Sequence, residues 1–213
     1  MDIVIRQETE KDYRAVEELT REAFWNLYFP GCNEHYLVHI MRNHTDFLSE
    51  YDFVAEVGGK IVGNIMYTKA WLIDEQGKEM EIVSFGPISV LPEYQRKGIG
   101  SALIQHTKKL AIEKGMKAIV ILGDPHNYCK HGFKSSKDLN ISDMSGNHPA
   151  AMLAIELEMG ALANHSWKHR YSPVYDLDRE AVDEFDRGFA VKEKAYRYTQ
   201  EIFSISIRSY LKD

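Results

Sequence analysis

Residues 82–101 read IVSFGPISVLPEYQRKGIGS, a strand-like run followed by a glycine-containing turn. The apolar run ends at Leu91-Pro92, and a helical pattern begins after Gly98-Ile99-Gly100. The first N–H groups of a helix have no internal partner, and the helix dipole favours negative charge beside them. Glycine lacks a Cβ, so a ligand can approach this backbone closely. The pattern therefore predicts an anion-binding turn, with Arg96 and Lys97 adding positive charge.

Two common phosphate-binding motifs do not match this turn. The Walker loop requires G-x-x-x-x-G-K-[ST], and the dinucleotide motif requires a third glycine where this chain has Leu103. What remains, Val90-x-Pro92-x-x-Gln95-x-x-Gly98-x-Gly100, resembles the acetyl-CoA diphosphate loop of the GNAT superfamily of N-acetyltransferases. The alternative is an ordinary strand-to-helix turn whose glycines serve packing.

The resemblance implies that acetyl-CoA binds along this strand and turn. In the family, the pantetheine arm pairs with the central strand as an extended ligand pairs with strand backbone. The diphosphate would rest on the backbone amides from Lys97 to Ser101, and Gln95 would order the loop or touch a phosphate. The cofactor-binding residues that the resemblance implies are Ile88, Ser89, Val90, Gln95, Arg96, Lys97, Gly98, Ile99, Gly100, Ser101 and Asn127.

Gly86-Pro87 precedes the segment that would hold pantetheine. Proline cannot donate to a strand ladder, so this dipeptide is the predicted site of a bulge or bend where the family's sheet splays. A plain edge irregularity is the alternative. A backbone N–H near Val90 would polarise the acetyl carbonyl oxygen, as an oxyanion hole does.

A second motif, Tyr128-x-x-x-Gly132-Phe133, resembles the family's tyrosine four residues before a Gly-Phe pair. In the family this tyrosine often protonates the leaving thiolate. A phenol with a pKa of about 10 stays protonated at pH 7 and can donate to such a thiolate. Tyr128 is therefore the predicted catalytic residue, and a tyrosine that only shapes the pocket is the alternative. Cys129 is interpreted as a packing residue because no motif places a base beside it.

Attack by an amine also requires a base or a water relay to remove the amine proton. Glu81, Asp124 and His126 are candidates near the expected cleft, although none belongs to a motif. Each is as well explained as a helix cap or a surface charge. A chain of water molecules is equally compatible with the sequence.

Periodicity predicts the order of elements along the chain. The predicted fold is α/β (α+β), with the GNAT order: a central mixed, mostly antiparallel sheet, splayed between the fourth and fifth strands, with helices on both faces. Residues 1–160 are the predicted acetyltransferase domain, and 161–213 an extension that packs on the core or on a partner. Predicted strands are 3–6, 51–57, 60–73, 80–91, 117–122 and 151–157; predicted helices are 9–24, 33–43, 99–114 and 178–186, with 202–211 ambiguous.

Composition limits the class of protein. The chain has 213 residues and a formal net charge of −6, which argues against a general nucleic-acid binder. Its two cysteines indicate no disulfide framework, and no stretch has the length of a membrane span. A cytoplasmic protein without membrane contact is therefore expected. The histidine pair His165 and His169 lacks the glutamate of a zinc protease, so no metal is expected, and His35, His39 and His44 are interpreted as surface residues.

Together these patterns predict an acetyl-CoA-dependent N-acetyltransferase without a metal cofactor. The acceptor is a primary amine on a small molecule or a peptide, attacking the acetyl group directly. A non-catalytic acyl-CoA-binding or regulatory module is the alternative from another class. Many members of the family dimerise, so a homodimer is compatible with the resemblance, but no residue here specifies one.

Overall fold

The computed structural model describes residues 1–212 of the 213, so the last residue of the predicted extension lies outside the described part. The α-helices are α1 (Tyr13–Phe24), α2 (Glu34–Met41), α3 (Ile99–Glu113), α4 (Pro125–Tyr128), α5 (Arg179–Asp186) and α6 (Tyr198–Arg208). The strands are β1 (Val4–Gln7), β2 (Phe53–Val57), β3 (Lys60–Ile73), β4 (Glu79–Val90), β5 (Ala118–Leu122), β6 (Lys134–Ser135), β7 (Ile141–Ser142), β8 (Met152–Glu156) and β9 (Trp167–Arg170).

The strands form a mixed, mostly antiparallel sheet in the order β1-β2-β3-β4-β5-β8-β6, and β9 pairs with both β3 and β7. The pairs β1–β2, β2–β3, β5–β8, β6–β8 and β3–β9 are antiparallel. By contrast, β4 and β5 run parallel and are in register at a single pair, Val83 and Ile119. The predicted fold class and the β4–α3–β5 crossover are therefore confirmed.

The chain divides into two compact units, and both β3 and β4 contribute to each of them. The first unit comprises residues 1–67, 86–104 and 173–201. Its apolar core joins α1, α2 and the first strands to the chain just before α5. The buried members of that core are Val16, Leu37, Val38, Met41, Val54, Met66 and Val174.

The second unit comprises residues 68–85, 105–172 and 202–212 of the described chain. Its core is formed by the middle strands of the sheet and by the segment that leads into β9, and Trp167 donates its indole N–H to the Leu162 carbonyl at 3.0 Å. The buried members are Ala70, Leu72, Ile82, Ala118, Val120, Ile141, Met152, Ala154, Leu162 and Trp167. The strands β6, β7 and β9 were not predicted, because runs of two to four residues carry too little periodicity. Residues 202–208, which were ambiguous, belong to α6.

Helical spacing predicts that α1 buries one apolar stripe and leaves its glutamate-rich opposite face solvated; the stripe consists of Ala15, Val16, Leu19, Ala23 and Phe24. The structure differs from this pattern at two positions. The helix buries Val16 and Leu19 as expected, but Ala15 is exposed and Glu17 is buried rather than solvated. The Glu17 carboxylate lies 3.2 Å from an Arg42 guanidinium nitrogen, and the same guanidinium lies 2.7 Å from Glu8. A buried carboxylate needs such a partner, which a helical pattern does not reveal.

No helix among residues 1–212 is long and apolar enough to cross a membrane.

Thr9, followed three residues later by the acid Asp12, predicts a capped start of the first helical segment, and the two residues are bonded to each other. Asp12 accepts hydrogen bonds from the Thr9 backbone N–H at 2.8 Å and from the Thr9 hydroxyl at 2.7 Å. The two Asp12 carboxylate oxygens also accept from two Arg6 guanidinium nitrogens, at 2.7 and 2.9 Å. The Arg6 guanidinium holds the pKa of Asp12 well below its ordinary value of 3.8.

Replacing Asp12 with asparagine is expected to lower the free energy of unfolding by about 2 kcal/mol at pH 7, because the charge-assisted bonds to Arg6 are lost. Since the pKa of Asp12 is lowered by folding, its contribution is present above about pH 4 and is lost as the pH falls. Urea unfolding at pH 7 and pH 3 should therefore show the difference between wild type and Asp12→Asn shrinking in acid. Asp176→Asn, at an exposed side chain with no partner among residues 1–212, is the matched control. A difference independent of pH would contradict this account.

Candidate active site

The turn between β4 and α3 is held by its own side chains. Gln95 donates its amide N–H to the Val90 carbonyl at 3.1 Å, and Lys97 donates to the Glu93 carbonyl at 2.7 Å. Arg96 has a φ of +59° and Gly98 a φ of +88°, both in the left-handed region. Of the two roles predicted for Gln95, ordering the loop is therefore the one that the contacts support.

The backbone amides of this turn are unpaired. Within residues 1–212, the amides from Arg96 to Gly100 donate to no other group, and the Ala102 N–H donates to the Gly98 carbonyl at 2.9 Å. A Cβ built on Gly98 would have no atom within 4 Å, so the backbone there faces open space. Successive amides in left- and right-handed conformations form a concave anion site at the positive end of a helix.

The start of α3 is fixed to the sheet by one close approach. Ile99 is buried, and a Cβ on Gly63 of β3 would lie only 2.9 Å from the Ile99 Cγ2 and 3.3 Å from the Ser89 carbonyl oxygen. A larger residue at position 63 would push the helix away from the strand. Glycine at position 63 therefore allows Ile99, at the start of α3, to pack directly against β3.

The segment of β4 predicted to pair with pantetheine has a buried polar contact of its own. The Ser89 and Thr20 hydroxyl oxygens lie 2.9 Å apart and join β4 to α1. At the predicted irregularity, the Gly86-Pro87 peptide is cis, and the Tyr175 hydroxyl donates to the Gly86 carbonyl at 3.2 Å. Tyr175 therefore contacts β4 at the point where the bend was predicted.

Tyr128 is placed by a short helix and by two aromatic rings. Asp124 caps α4 by accepting the His126 N–H at 2.9 Å, and the Tyr128 ring packs against Phe85 and Phe133 at centroid distances of 5.7 and 6.1 Å. A Cβ on Gly123 would lie 2.4 Å from the Tyr128 ring, so glycine is required where the ring crosses the backbone.

The structure explains why a glycine and a phenylalanine stand at positions 132 and 133 of the motif. Gly132 has a φ of +94° and ends the short helical turn after Tyr128, and Phe133 is 2% exposed beneath the tyrosine ring. Burial raises the pKa of Tyr128 to about 12, with the Asp124 charge adding to the effect. The phenol is therefore a hydrogen-bond donor at every physiological pH.

The other candidates near Tyr128 take ordinary positions. Cys129 is exposed, so its interpretation as a packing residue is wrong. Asp124 is a helix cap, while His126 and Asn127 are exposed. Glu81 lies 4.0 Å from the Lys69 ammonium at the surface.

Sequence reasoning also missed a buried cluster of polar side chains, which consists of Arg21, Cys32, His35 and Asp186. His35 is fully buried rather than at the surface, with its Nδ1 3.4 Å from the Cys32 sulfur and its Nε2 3.1 Å from an Asp186 oxygen. Asp186 in turn lies 2.6 Å from the Arg21 guanidinium. Burial raises the pKa of the Cys32 thiol and lowers that of His35 to about 4, so both side chains are neutral and the cluster anchors α5. No signal in the sequence connects residues so far apart.

Comparisons with known proteins bear on the fold and the family. The uncharacterized N-acetyltransferase YhbS of Escherichia coli (strain K12) is 27% identical over 132 residues, covering 62% of this chain and 74% of YhbS. The crystal structure of E. coli YhbS in complex with CoA has a TM-score of 0.71 at 23% identity, covering 82% of this chain and 92% of that chain. A GNAT family acetyltransferase from Brucella melitensis in complex with acetyl-CoA has a TM-score of 0.65 at 24% identity, covering 82% and 99%. These solved structures share the fold.

The sheet, the crossover and the relatives together define an acyltransferase. Residues 18–133, more than half of the chain, match the family model described as the acetyltransferase (GNAT) family, and the chain belongs to that family.

Proposed function

We propose that this protein transfers the acetyl group of acetyl-CoA to a primary amine by direct attack. The observation that carries the proposal is the row of unpaired amides from Arg96 to Gly100, open to solvent at the start of α3. CoA and acetyl-CoA are bound by the two structural neighbours described above, which supports the same cofactor here. Residues 1–160 would form the acetyltransferase domain, with the remaining chain as its extension.

The residues present fit the cofactor. Acetyl-CoA supplies an activated thioester when it is bound. The amides of the turn would hold its diphosphate, with Arg96 and Lys97 contributing positive charge, and the backbone of Ile88 to Val90 would hold its pantetheine arm. Among residues 1–212 no group of three or more His, Cys, Asp or Glu side chains could hold a metal ion.

Tyr128 would act as the general acid. In the reaction an N–C bond forms and the C–S bond breaks, while the amine gives up a proton and the departing sulfur takes one. The Tyr128 hydroxyl can supply that proton because its raised pKa keeps it protonated. The resemblance of the Tyr128-x-x-x-Gly132-Phe133 motif supports this role, and the packing of Phe133 under the ring gives the motif a structural reason.

An assay of thiol release from acetyl-CoA, with and without a panel of primary amines, tests the proposal. Amine-dependent release, together with an acetylated amine detected by mass spectrometry, is the expected result. CoA binding by calorimetry without any amine-dependent release would contradict catalysis and favour the non-catalytic module. Absence of CoA binding would contradict the proposal as a whole. A cytoplasmic location and a homodimer stay predictions.

A further inference from the structure

The helix α6 turns apolar side chains toward solvent. Tyr198, Ile202 and Ile205 follow one another at helical spacing and therefore share one face. Their exposed fractions are 74%, 59% and 57%. Gln200, on the other side of the helix, is buried instead and donates its amide N–H to the Asn26 carbonyl at 3.0 Å. A helix on the surface of a globular protein usually shows the reverse arrangement, with the apolar stripe buried.

The less exposed side of α6 is mostly polar. It consists of Thr199, Gln200, Phe203, Ser204 and Ser206, of which only the phenylalanine is apolar. Packing of the helix on its own chain therefore does not account for the isoleucines on the outer face. Adjacent apolar side chains that stay exposed in this way mark a surface where another molecule binds.

The chain that follows α6 is held by backbone hydrogen bonds. The Ser209 carbonyl accepts the Ala150 N–H at 2.9 Å, and the Leu211 N–H donates to the His148 carbonyl at 2.8 Å. Leu211 and its neighbour Tyr210 are themselves exposed. Because the end of the helix is fixed, a partner that binds the outer face does not have to order it first.

Two opposite charges lie along one edge of the apolar face. Glu201 and Arg208 are exposed and stand two helical turns apart, a distance of about 10 Å along the axis. Neither makes an ion pair within the part of the chain that the structure describes. Arg208 donates to the Ser204 carbonyl of its own helix at 2.9 Å. Both charges are therefore available to a partner of opposite charge.

These charges make the face complementary to itself. A two-fold axis perpendicular to the helix exchanges the two ends of the face and keeps each edge on the same side. Glu201 of one copy then lies opposite the partner's Arg208, and the symmetry repeats the pair at the other end. Ile205 lies close to the midpoint between the two charges, so the two isoleucines meet near the axis. In a parallel pair of helices the charged edges would point away from each other.

We propose that two copies of this chain associate through α6, with the two helices antiparallel across a two-fold axis. Tyr198, Ile202 and Ile205 form the apolar centre of the contact. Glu201 and Arg208 form its charged rim and fix its orientation. A membrane surface fits the face less well, since helices that lie on membranes are rich in lysine and arginine and α6 carries only Arg208. The proposal goes beyond the proposed function and does not rest on it.

Analytical ultracentrifugation of the full chain at micromolar concentrations tests the proposal, and a dimer is the expected species. Ile205→Glu brings two carboxylates together at the axis and should raise the Kd of the dimer by at least about 100-fold. Ile112→Glu is the matched control, because Ile112 is an isoleucine of α3 with a similar exposed fraction of 51%. It should leave the Kd unchanged.

Reversing the charges tests the antiparallel orientation. Glu201→Arg and Arg208→Glu, made singly, each place like charges opposite one another and should raise the Kd about 10-fold. Made together in one chain, they restore both pairs with the signs exchanged, and the Kd should return to within about threefold of the wild-type value. Circular dichroism of each variant checks that it is folded.

A wild-type chain that stays monomeric would overturn the proposal, and so would a dimer that Ile205→Glu leaves intact. If Ile205→Glu does not fold, the charge reversals decide the question. Single reversals without effect, or a double reversal that does not restore the dimer, would exclude the antiparallel contact. Cosedimentation of monomeric wild type with phosphatidylserine vesicles, lost in Ile205→Glu, would assign the face to a membrane and overturn the proposal. None of these measurements requires acetyl transfer, so failure of the proposed function would leave their result unchanged.

Discussion

Conversion of Tyr128 to phenylalanine is expected to lower kcat for acetyl transfer by about 100-fold, the lower end of what a general acid contributes. The KM for acetyl-CoA should change by less than about twofold, because the proton is donated only as the C–S bond breaks. Phenylalanine keeps the ring that packs on Phe85 and Phe133, so the fold around it is preserved. The Tyr128 hydroxyl donates to no group among residues 1–212, and its removal leaves no protein partner unsatisfied.

The pH profile tests the environment of the Tyr128 hydroxyl, and kcat of the phenylalanine variant tests its role. Because burial raises the pKa of Tyr128 to about 12, wild-type kcat should show no loss from deprotonation of this group up to about pH 10. An alkaline decline centred near the ordinary tyrosine pKa of about 10 would contradict that environment. Tyr196→Phe, at an exposed tyrosine outside the aromatic cluster, should leave kcat unchanged. Equal kcat values for wild type and Tyr128→Phe would show that Tyr128 only shapes the pocket and is not the general acid.

Local patterns were sufficient for most of the fold. Gly58-Gly59 between two apolar runs predicts the β2–β3 hairpin, and the continuous apolar run at 118–121 predicts a buried parallel strand. Both signals depend on neighbours in the chain, which a sequence displays directly. The strand β9 was missed because four residues within a polar and aromatic tail hold no such period.

Long-range electrostatic contacts could not be predicted in the same way. Glu17 reads as one member of a solvated helix face, but Arg42 at 3.2 Å and His39 at 2.9 Å compensate its burial. His35 reads as a surface residue for the same reason, since Asp186 lies far along the chain. The charge of a side chain is visible in a sequence, but the identity of its partner is set by tertiary structure.

The turn before α3 and the buried cluster beside α5 differ in the same respect. The turn at Gln95–Gly100 could be recognised because the role proposed for it belongs to the backbone, and glycine spacing reports backbone geometry. The buried cluster of Cys32, His35 and Asp186 was not predicted, because these residues share no motif and meet only when α5 packs beside α1.

Replacing Gly98 with alanine is expected to raise the Kd for CoA by 10-fold or more, equivalent to losing at least about 1.4 kcal/mol. Gly98 has a φ of +88°, which alanine adopts at a cost of about 1–2 kcal/mol, so the turn should relax away from this conformation. The amides of Lys97 and Ile99 would then no longer converge on one point. The new Cβ would also project into open space, where no protein atom lies within 4 Å and where the diphosphate is proposed to sit.

Gly77→Ala is the matched control, because Gly77 has a φ of +82° in a different turn and also has no atom within 4 Å of its added Cβ. Both variants should lose similar stability in urea unfolding, while only Gly98→Ala should lose affinity for CoA in calorimetry. S-acetylpantetheine, which lacks the diphosphate, sharpens the comparison: its KM should be the same for wild type and Gly98→Ala. An equal loss of affinity in both glycine variants would attribute the effect to general destabilisation, and an unchanged Kd in Gly98→Ala would remove the turn from the CoA site. Since backbone amides cannot be deleted by mutation, distorting their geometry at a glycine is the direct test of whether the main chain binds the cofactor.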